Sequence, residues 1–333
     1  MLKLKYLFEN FELARQALTH WEHNEENLDK YLKYFRISSN AMYPFEKYGK
    51  RCFLRLAPVE EKLEQNLRGE LEFLQYLHSK GYPSMVPVTS KEGEVLLQLD
   101  TRWGKYYASV FEGVPGKPIE DTDYNAEIMI SYGKALGKLH CLSMEYETEY
   151  KSAYKKWNYE DALHWIKKVL QEYNAPLPML TEAVSLEKEL AALPQTRESF
   201  GLVHYDFEPD NVFYEEKSGE CHVIDFEDGM YHFYLLDIEQ VFDALAQELS
   251  GEAFLQAKEA FLQGYTSEKS LEPECEKLLP LMRRFCNLFA YARMIRCIAE
   301  DVQEAPEWMC KLRSILQCKI NFLEKNVDKP EMM

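Results

Sequence analysis

Apolar positions follow two rhythms along this chain. Between residues 35 and 56, and again between 94 and 112, they fall in short runs of period two, the pattern of strands that turn alternate side chains to opposite faces. Beyond residue 124 they recur at helical spacing. Ahead of both, Phe8, Phe11, Leu18, Trp21, Leu28, Leu32 and Phe35 predict one or two short amphipathic helices over 8–34, broken near His23 and Asn24. The next segment predicts a strand over 35–43, a turn over 44–50 and a strand over 51–56. A helix is expected over 58–78, with Pro58 in its first turn, Leu63, Leu67, Leu71, Leu74 and Leu77 as its apolar stripe, and Lys80 and Gly81 closing it. A hairpin is expected over 94–112, turning at 100–104.

After a Gly/Pro-rich stretch at 112–116, helices are predicted from 124 to 140 and near 159–172, 180–193, 236–248, 252–265, 274–302 and 307–325. The fold class is therefore α+β. A small strand-rich part (1–112) with leading helices precedes a larger, mostly helical part (113–333).

One non-helical interruption in the second part carries the chemistry. Residues 202–212 set His204, Asp206 and Asn211 in an H-x-D-x-x-x-x-N array, and Asp225 follows between Ile224 and Phe226. Apolar runs at 201–204 and 211–214, a turn at 217–220 and a further run at 221–226 predict a strand, a loop and a hairpin. Phosphoryl transfer from ATP needs one carboxylate facing the acceptor hydroxyl, and an amide with a second carboxylate on Mg²⁺. The array supplies all three. A carboxylate flanked by Ile224 and Phe226 is costly to bury without such a partner.

This segment resembles the aminoglycoside phosphotransferase and choline kinase superfamily, and the run from Asp225 to Asp237 is similar to bacterial members of the homoserine kinase type. The resemblance implies a protein-kinase-like fold of two lobes, with ATP and Mg²⁺ as cofactors. It implies that Asp206 is the catalytic base, that His204 braces its loop, and that Asn211 and Asp225 are the metal ligands. Asp237 is expected to bond the loop's main chain, and His140, closing a G-x-x-L-x-x-L-H run, to be structural. The match differs from typical protein kinases: Glu227 stands where D-F-G has Gly, and no A-P-E anchor for a peptide follows.

The same resemblance gives roles to the N-terminal part. Ser38, Ser39 and Asn40 occupy the turn that covers the ATP phosphates, where protein kinases carry glycines. Arg55 stands where the phosphate-binding Lys of the third strand belongs. Glu70 neighbours the leucine stripe and is expected to pair with Arg55, Glu72 being the alternate. The main chain at Ser109, Val110 and Phe111 is expected to wall the adenine.

Composition narrows the partners. With 39 basic and 56 acidic residues the net charge is −17, which disfavours nucleic acid and anionic membrane surfaces. No apolar run is long enough to span a bilayer. The eight cysteines form no C-x-x-C pair and predict a reducing cytoplasm. Trp157, Tyr159, Trp165 and Tyr173 are as consistent with helix core as with a stacking or amine-caging site. The expected activity is transfer of the ATP γ-phosphoryl group to a hydroxyl of a small molecule such as an aminoglycoside, amino alcohol, sugar or homoserine. A Ser/Thr protein kinase and a weakly active nucleotide-binding scaffold are the alternatives.

Overall fold

A computed structural model describes residues 1–149, 152–272, 274–300, 302 and 304–327. Two short helices, α1 (Phe11–Leu18) and α2 (Leu28–Leu32), lead into β1 (Arg36–Ile37), β2 (Ala41–Lys47) and β3 (Lys50–Pro58). The helix α3 (Glu64–Ser79) follows, then β4 (Val86–Pro87), β5 (Leu97–Thr101) and β6 (Gly104–Glu112). The strands form one antiparallel sheet in the order β1-β2-β3-β6, and β6 takes both β4 and β5 on its other side.

Period-two alternation sorts this sheet's side chains. Leu54, Leu56 and Val110 pack with Leu13, Leu18, Trp21 and Leu32 under α1 and α2. Arg55 and Phe111 face the opposite side, where α3 lies, so one face is an apolar core and the other carries the charged pair.

Two expectations fail here for the same reason. The turn expected over 44–50 is shorter: residues 44–47 continue β2 through Pro44, and the turn is only Tyr48 and Gly49 with φ of 51° and 78°. The short β1 pairs only with Ala41 and Met42, so at Pro44 strand β2 is an edge and a missing N–H costs nothing. Pro58 likewise ends β3 instead of opening a helix. A 3₁₀ turn (Val59–Glu61) intervenes, α3 begins at Glu64, and Leu63 is half exposed.

The C-terminal lobe starts with β7 (Lys117–Pro118) and the long α4 (Ala126–Glu149), followed by α5 (Tyr159–Glu172) and α6 (Leu177–Ala191). Next come β8 (Phe200–Val203), β9 (Val212–Glu215), β10 (Glu220–Val223) and β11 (Met230–Phe233). Helices α7 (Leu235–Glu248), α8 (Gly251–Glu268), α9 (Leu279–Ile298) and α10 (Glu307–Asn326) complete it. β9 and β10 form an antiparallel hairpin flanked by β7, and β8 pairs with β11. The helices α4 and α8 cross in main-chain contact. A Cβ at Gly133 would run into the Phe261 carbonyl, and one at Gly264 into that of Ile130. Among the described residues, no helix is long and apolar enough to cross a membrane.

Candidate active site

The loop between β8 and β9 is held from below by a buried relay. Asp237, in the first turn of α7, accepts the main-chain N–H of His204 at 2.8 Å and of Tyr205 at 2.7 Å. Its Oδ2 also meets His140 Nε2 of α4 at 3.0 Å, and His140 Nδ1 meets the Tyr265 hydroxyl at 3.0 Å. His204 Nδ1 accepts the Asp206 N–H at 3.1 Å, which leaves the proton on Nε2 to donate to the Ile224 carbonyl at 2.9 Å. Burial pushes His204 down to about 4, so the ring is neutral and matches these roles. His204 therefore ties the β8–β9 loop to the segment that carries Asp225.

Asp206, Asn211 and Asp225 come together at one end of the β9–β10 hairpin. Asn211 Nδ2 donates to Asp206 Oδ2 at 2.9 Å and to its carbonyl at 3.0 Å, and the Asn211 carbonyl accepts the Ile224 N–H at 3.0 Å. With its amide nitrogen so used, Asn211 offers Oδ1 as a ligand. Tyr205 and Asp225 both take left-handed φ, 66° and 61°, a conformation that non-glycine residues adopt rarely and often at functional sites.

The carboxylates here repel one another. Burial, followed by the charges of Glu227, Asp228 and Glu70, pushes Asp225 up to about 6 against the pull of Arg55. Burial, then Asp225 and Glu208, raises Asp206 well above the usual carboxylate range. A divalent cation between Asn211 and Asp225 would remove this repulsion, and hard oxygen donors suit Mg²⁺. Among the described residues no three His, Cys, Asp or Glu side chains gather into a metal cage. A site of one amide and one carboxylate leaves the remaining positions to phosphates and water.

On the other side of the cleft, Arg55 and Glu70 form a two-pronged ion pair, Nη1–Oε1 at 2.9 Å and Nη2–Oε2 at 2.8 Å. Glu70 is the partner, not Glu72, which binds Ser152 and the Tyr154 N–H. Arg55 Nε donates to Ser109 at 3.1 Å, and the guanidinium lies 4.7 Å from the Phe111 ring centre. Ser109 and Phe111 thus share Arg55's face of the sheet. Val110 turns its side chain the other way, and its carbonyl accepts the Val88 N–H.

Of the loop residues, Ser38 is exposed, Ser39 contacts Arg293 of α9 at 3.3 Å, and Asn40 is buried with its amide on Glu227. Glu227 is a meeting point. Asn40, Lys62 and Arg55 converge on its carboxylate, Arg55 at 3.6 Å. Burial raises Glu227, but Lys62 and Arg55 outweigh it and hold the group below its ordinary value.

Three cations at this site carry no sequence motif: Lys62 just before α3, Lys156 just before α5 and Arg293 on α9. Lys156 is buried and donates to the carbonyls of Phe226 and Glu227 at 3.1 and 2.7 Å. It clamps the turn after Asp225. Arg293 pairs with Asp228 at 2.7 Å. A lysine beside an aromatic run was the only local signal for Lys156, and the other two had none.

Residues 35–271 match the phosphotransferase enzyme family. The chain belongs to that family. Membership makes it a phosphotransferase, and the two lobes place it among kinase-like folds. It is 22% identical to the amicoumacin kinase of Bacillus subtilis (strain 168), over 90% of this chain and 91% of that protein. It is 27% identical to the homoserine kinase of Parvibaculum lavamentivorans, over 66% of each chain. The solved structure of an amicoumacin kinase in complex with AMP-PNP, Ca²⁺ and Ami superposes with a TM-score of 0.75 at 20% identity, covering 96% of this chain and 95% of that one.

Proposed function

We propose that this phosphotransferase moves the γ-phosphoryl group of ATP to a hydroxyl of a small molecule, with Asp206 as the base. The observation that carries this reading is the bonding of Asn211, whose amide nitrogen fixes Asp206 while its carbonyl is joined to the Asp225 segment. The acceptor oxygen forms the new bond to phosphorus. The bond from phosphorus to the bridging oxygen breaks, and ADP leaves with the electron pair. Asp206 orients the hydroxyl and takes its proton. Asn211 and Asp225 would hold Mg²⁺, which when bound neutralises charge on the phosphates.

Arg55, positioned by Glu70, would grip phosphate oxygens, and the loop of Ser38, Ser39 and Asn40 would close over them. Adenine would lie against the main chain of Ser109, Val110 and Phe111. We divide the nucleotide lobe from the acceptor lobe at residues 112 and 113. The acceptor would enter a cavity of about 270 Å³ between the lobes, walled by Trp157, Trp165 and Phe289 and reaching Asp228 and Arg293. The ring centres of Trp157 and Trp165 stand 6.3 Å apart, so a ring or a protonated amine can rest on them. All eight cysteines are free thiols, which supports a cytoplasmic enzyme.

The test is a labelled-ATP assay on a pool of small metabolites, run with and without Mg²⁺. Label transferred to one compound class, lost in Asp206→Asn and without metal, is the expected result. Label transferred to protein substrates alone would overturn the small-molecule acceptor.

A further inference from the structure

Phosphoryl transfer is catalysed almost wholly by position and charge, so the cations that reach the moving group decide the rate. On the nucleotide-lobe side the supply is partly committed. Arg55 spends Nε, Nη1 and Nη2 on Ser109 and Glu70 and is 4% exposed. Lys62 is held by Glu227. The acceptor side has a different cation. Arg293 reaches out of α9 with one prong on Asp228, at 2.7 Å, and the other on the Ser39 hydroxyl, at 3.3 Å.

That fork spans the gap between the phosphate-covering turn and the segment following Asp225. The Asp228 contact is short and charged, and the Ser39 contact is long and neutral. The second is the one a phosphate oxygen can replace, because an anionic acceptor binds a guanidinium more strongly than a hydroxyl does.

We propose that Arg293 is a catalytic residue of this reaction, held by Asp228 and exchanging Ser39 for an oxygen of the γ-phosphoryl group of a nucleoside triphosphate. The inference rests on the phosphotransferase reading of the cleft. As the acceptor or a water oxygen bonds to phosphorus, the bridging oxygen leaves with its electron pair on ADP. Arg293 neutralises charge on a non-bridging oxygen and exchanges no proton. A brace between α9 and the turn after Asp225 is the competing role, and it makes a different prediction.

The experiment uses the full chain, with water as acceptor, so that no substrate need be known. Mg²⁺-dependent ATP binding and slow release of inorganic phosphate are measured for wild type, Asp206→Asn, Arg293→Lys, Arg293→Ala and Arg284→Ala. Arg284 lies on the same helix but pairs with Glu182 and Glu189, and its loss controls for weakening α9. Arg293→Ala should lower hydrolysis about 10²-fold while ATP affinity changes less than about threefold. Added guanidinium at millimolar concentration should restore part of the rate in Arg293→Ala and none in Asp206→Asn. Arg293→Lys should remain at least about tenfold slow, because a point charge cannot hold Asp228 and a phosphate oxygen together.

Unchanged hydrolysis in Arg293→Ala would overturn the proposal while leaving the phosphotransferase reading intact. So would a loss that merely tracks a fall in melting temperature, matches Arg284→Ala and resists guanidinium. A wild type that neither binds nor hydrolyses ATP would sink both.

Discussion

The imidazole of His140 and the carboxylate of Asp237, 97 positions apart, meet at 3.0 Å with neither side chain exposed. His140 never approaches the cleft. It acts through Asp237, whose two oxygens also receive the N–H groups of His204 and Tyr205. Asp237→Asn turns one acceptor into a donor facing donors. We expect a loss of about 2–4 kcal/mol in stability, since a buried charged acceptor is removed from three partners. Urea titration of wild type and variant measures it, and a change under about 0.5 kcal/mol would show that the relay contributes little.

Asp206→Asn keeps the bulk of the side chain and can still accept from Asn211, but it cannot take a proton. Turnover should fall by about 10²–10⁴ with nucleotide affinity nearly unchanged. Single-turnover rates alongside ATP binding curves separate the two. Near-normal transfer would place the base elsewhere.

Asp225 is repelled by its neighbours while no cation is bound, so the metal-free protein should gain from losing that charge. Asparagine tolerates the left-handed φ of this position. Asp225→Asn should therefore raise the melting temperature of the nucleotide-free protein and abolish Mg²⁺-dependent ATP binding. Thermal scans with and without Mg²⁺-ATP check both halves, and a variant that melts lower in the free state would contradict the repulsion.

From the sequence alone Arg55→Lys reads as mild, because it keeps the charge. The geometry argues otherwise. An ammonium cannot span both oxygens of Glu70, reach Ser109 and cover Phe111, and Glu70 has no exposure to water. We expect Arg55→Lys to cost about 2–4 kcal/mol in stability. Arg55→Ala should in addition weaken ATP far more than adenosine. Equal losses for both ligands would confine Arg55 to a structural role.

His232 is buried, and burial pushes it down to about 3, so it is neutral in the fold. Unfolded, a histidine takes up its proton near pH 6.5. Between the two values the unfolded chain binds more protons, so this residue's contribution to stability falls as the pH drops. Relative to His232→Phe, wild type should lose about 3 kcal/mol between pH 6.5 and 4. Parallel stability curves for the two proteins across that range would refute it.

The candidate site was legible because its residues are close together in the sequence. His204, Asp206 and Asn211 lie within one turn-sized loop, and Asp225 sits one hairpin away. Glu70 could be found from its position beside a leucine stripe, since helix period fixes which residues share a face. Pro44 and Pro58 misled because a proline signals the lack of an N–H, and whether that matters depends on strand neighbours that only the sheet reveals. Arg293 and Lys156 were illegible for a related reason. Their partners, Asp228 and the carbonyls of Phe226 and Glu227, lie about 65–70 residues away, and no spacing rule connects an isolated cation to a distant carboxylate or carbonyl.

The crossing at Gly133 and Gly264 has a practical side. Neither position can accept even a methyl group, so α4 and α8 behave as a single fixed chassis, and the relay from His140 to the β8–β9 loop is bolted to it. Trp157, Trp165 and Phe289 stand on other elements and touch neither glycine's crossing point. A library that seeks a new acceptor can vary Trp157 and Trp165 but should keep Phe289, which is buried against Tyr205 and lies under Arg293, while any design that swaps helices must transplant α4 and α8 as a pair or lose the alignment of Asp206 along with the fold.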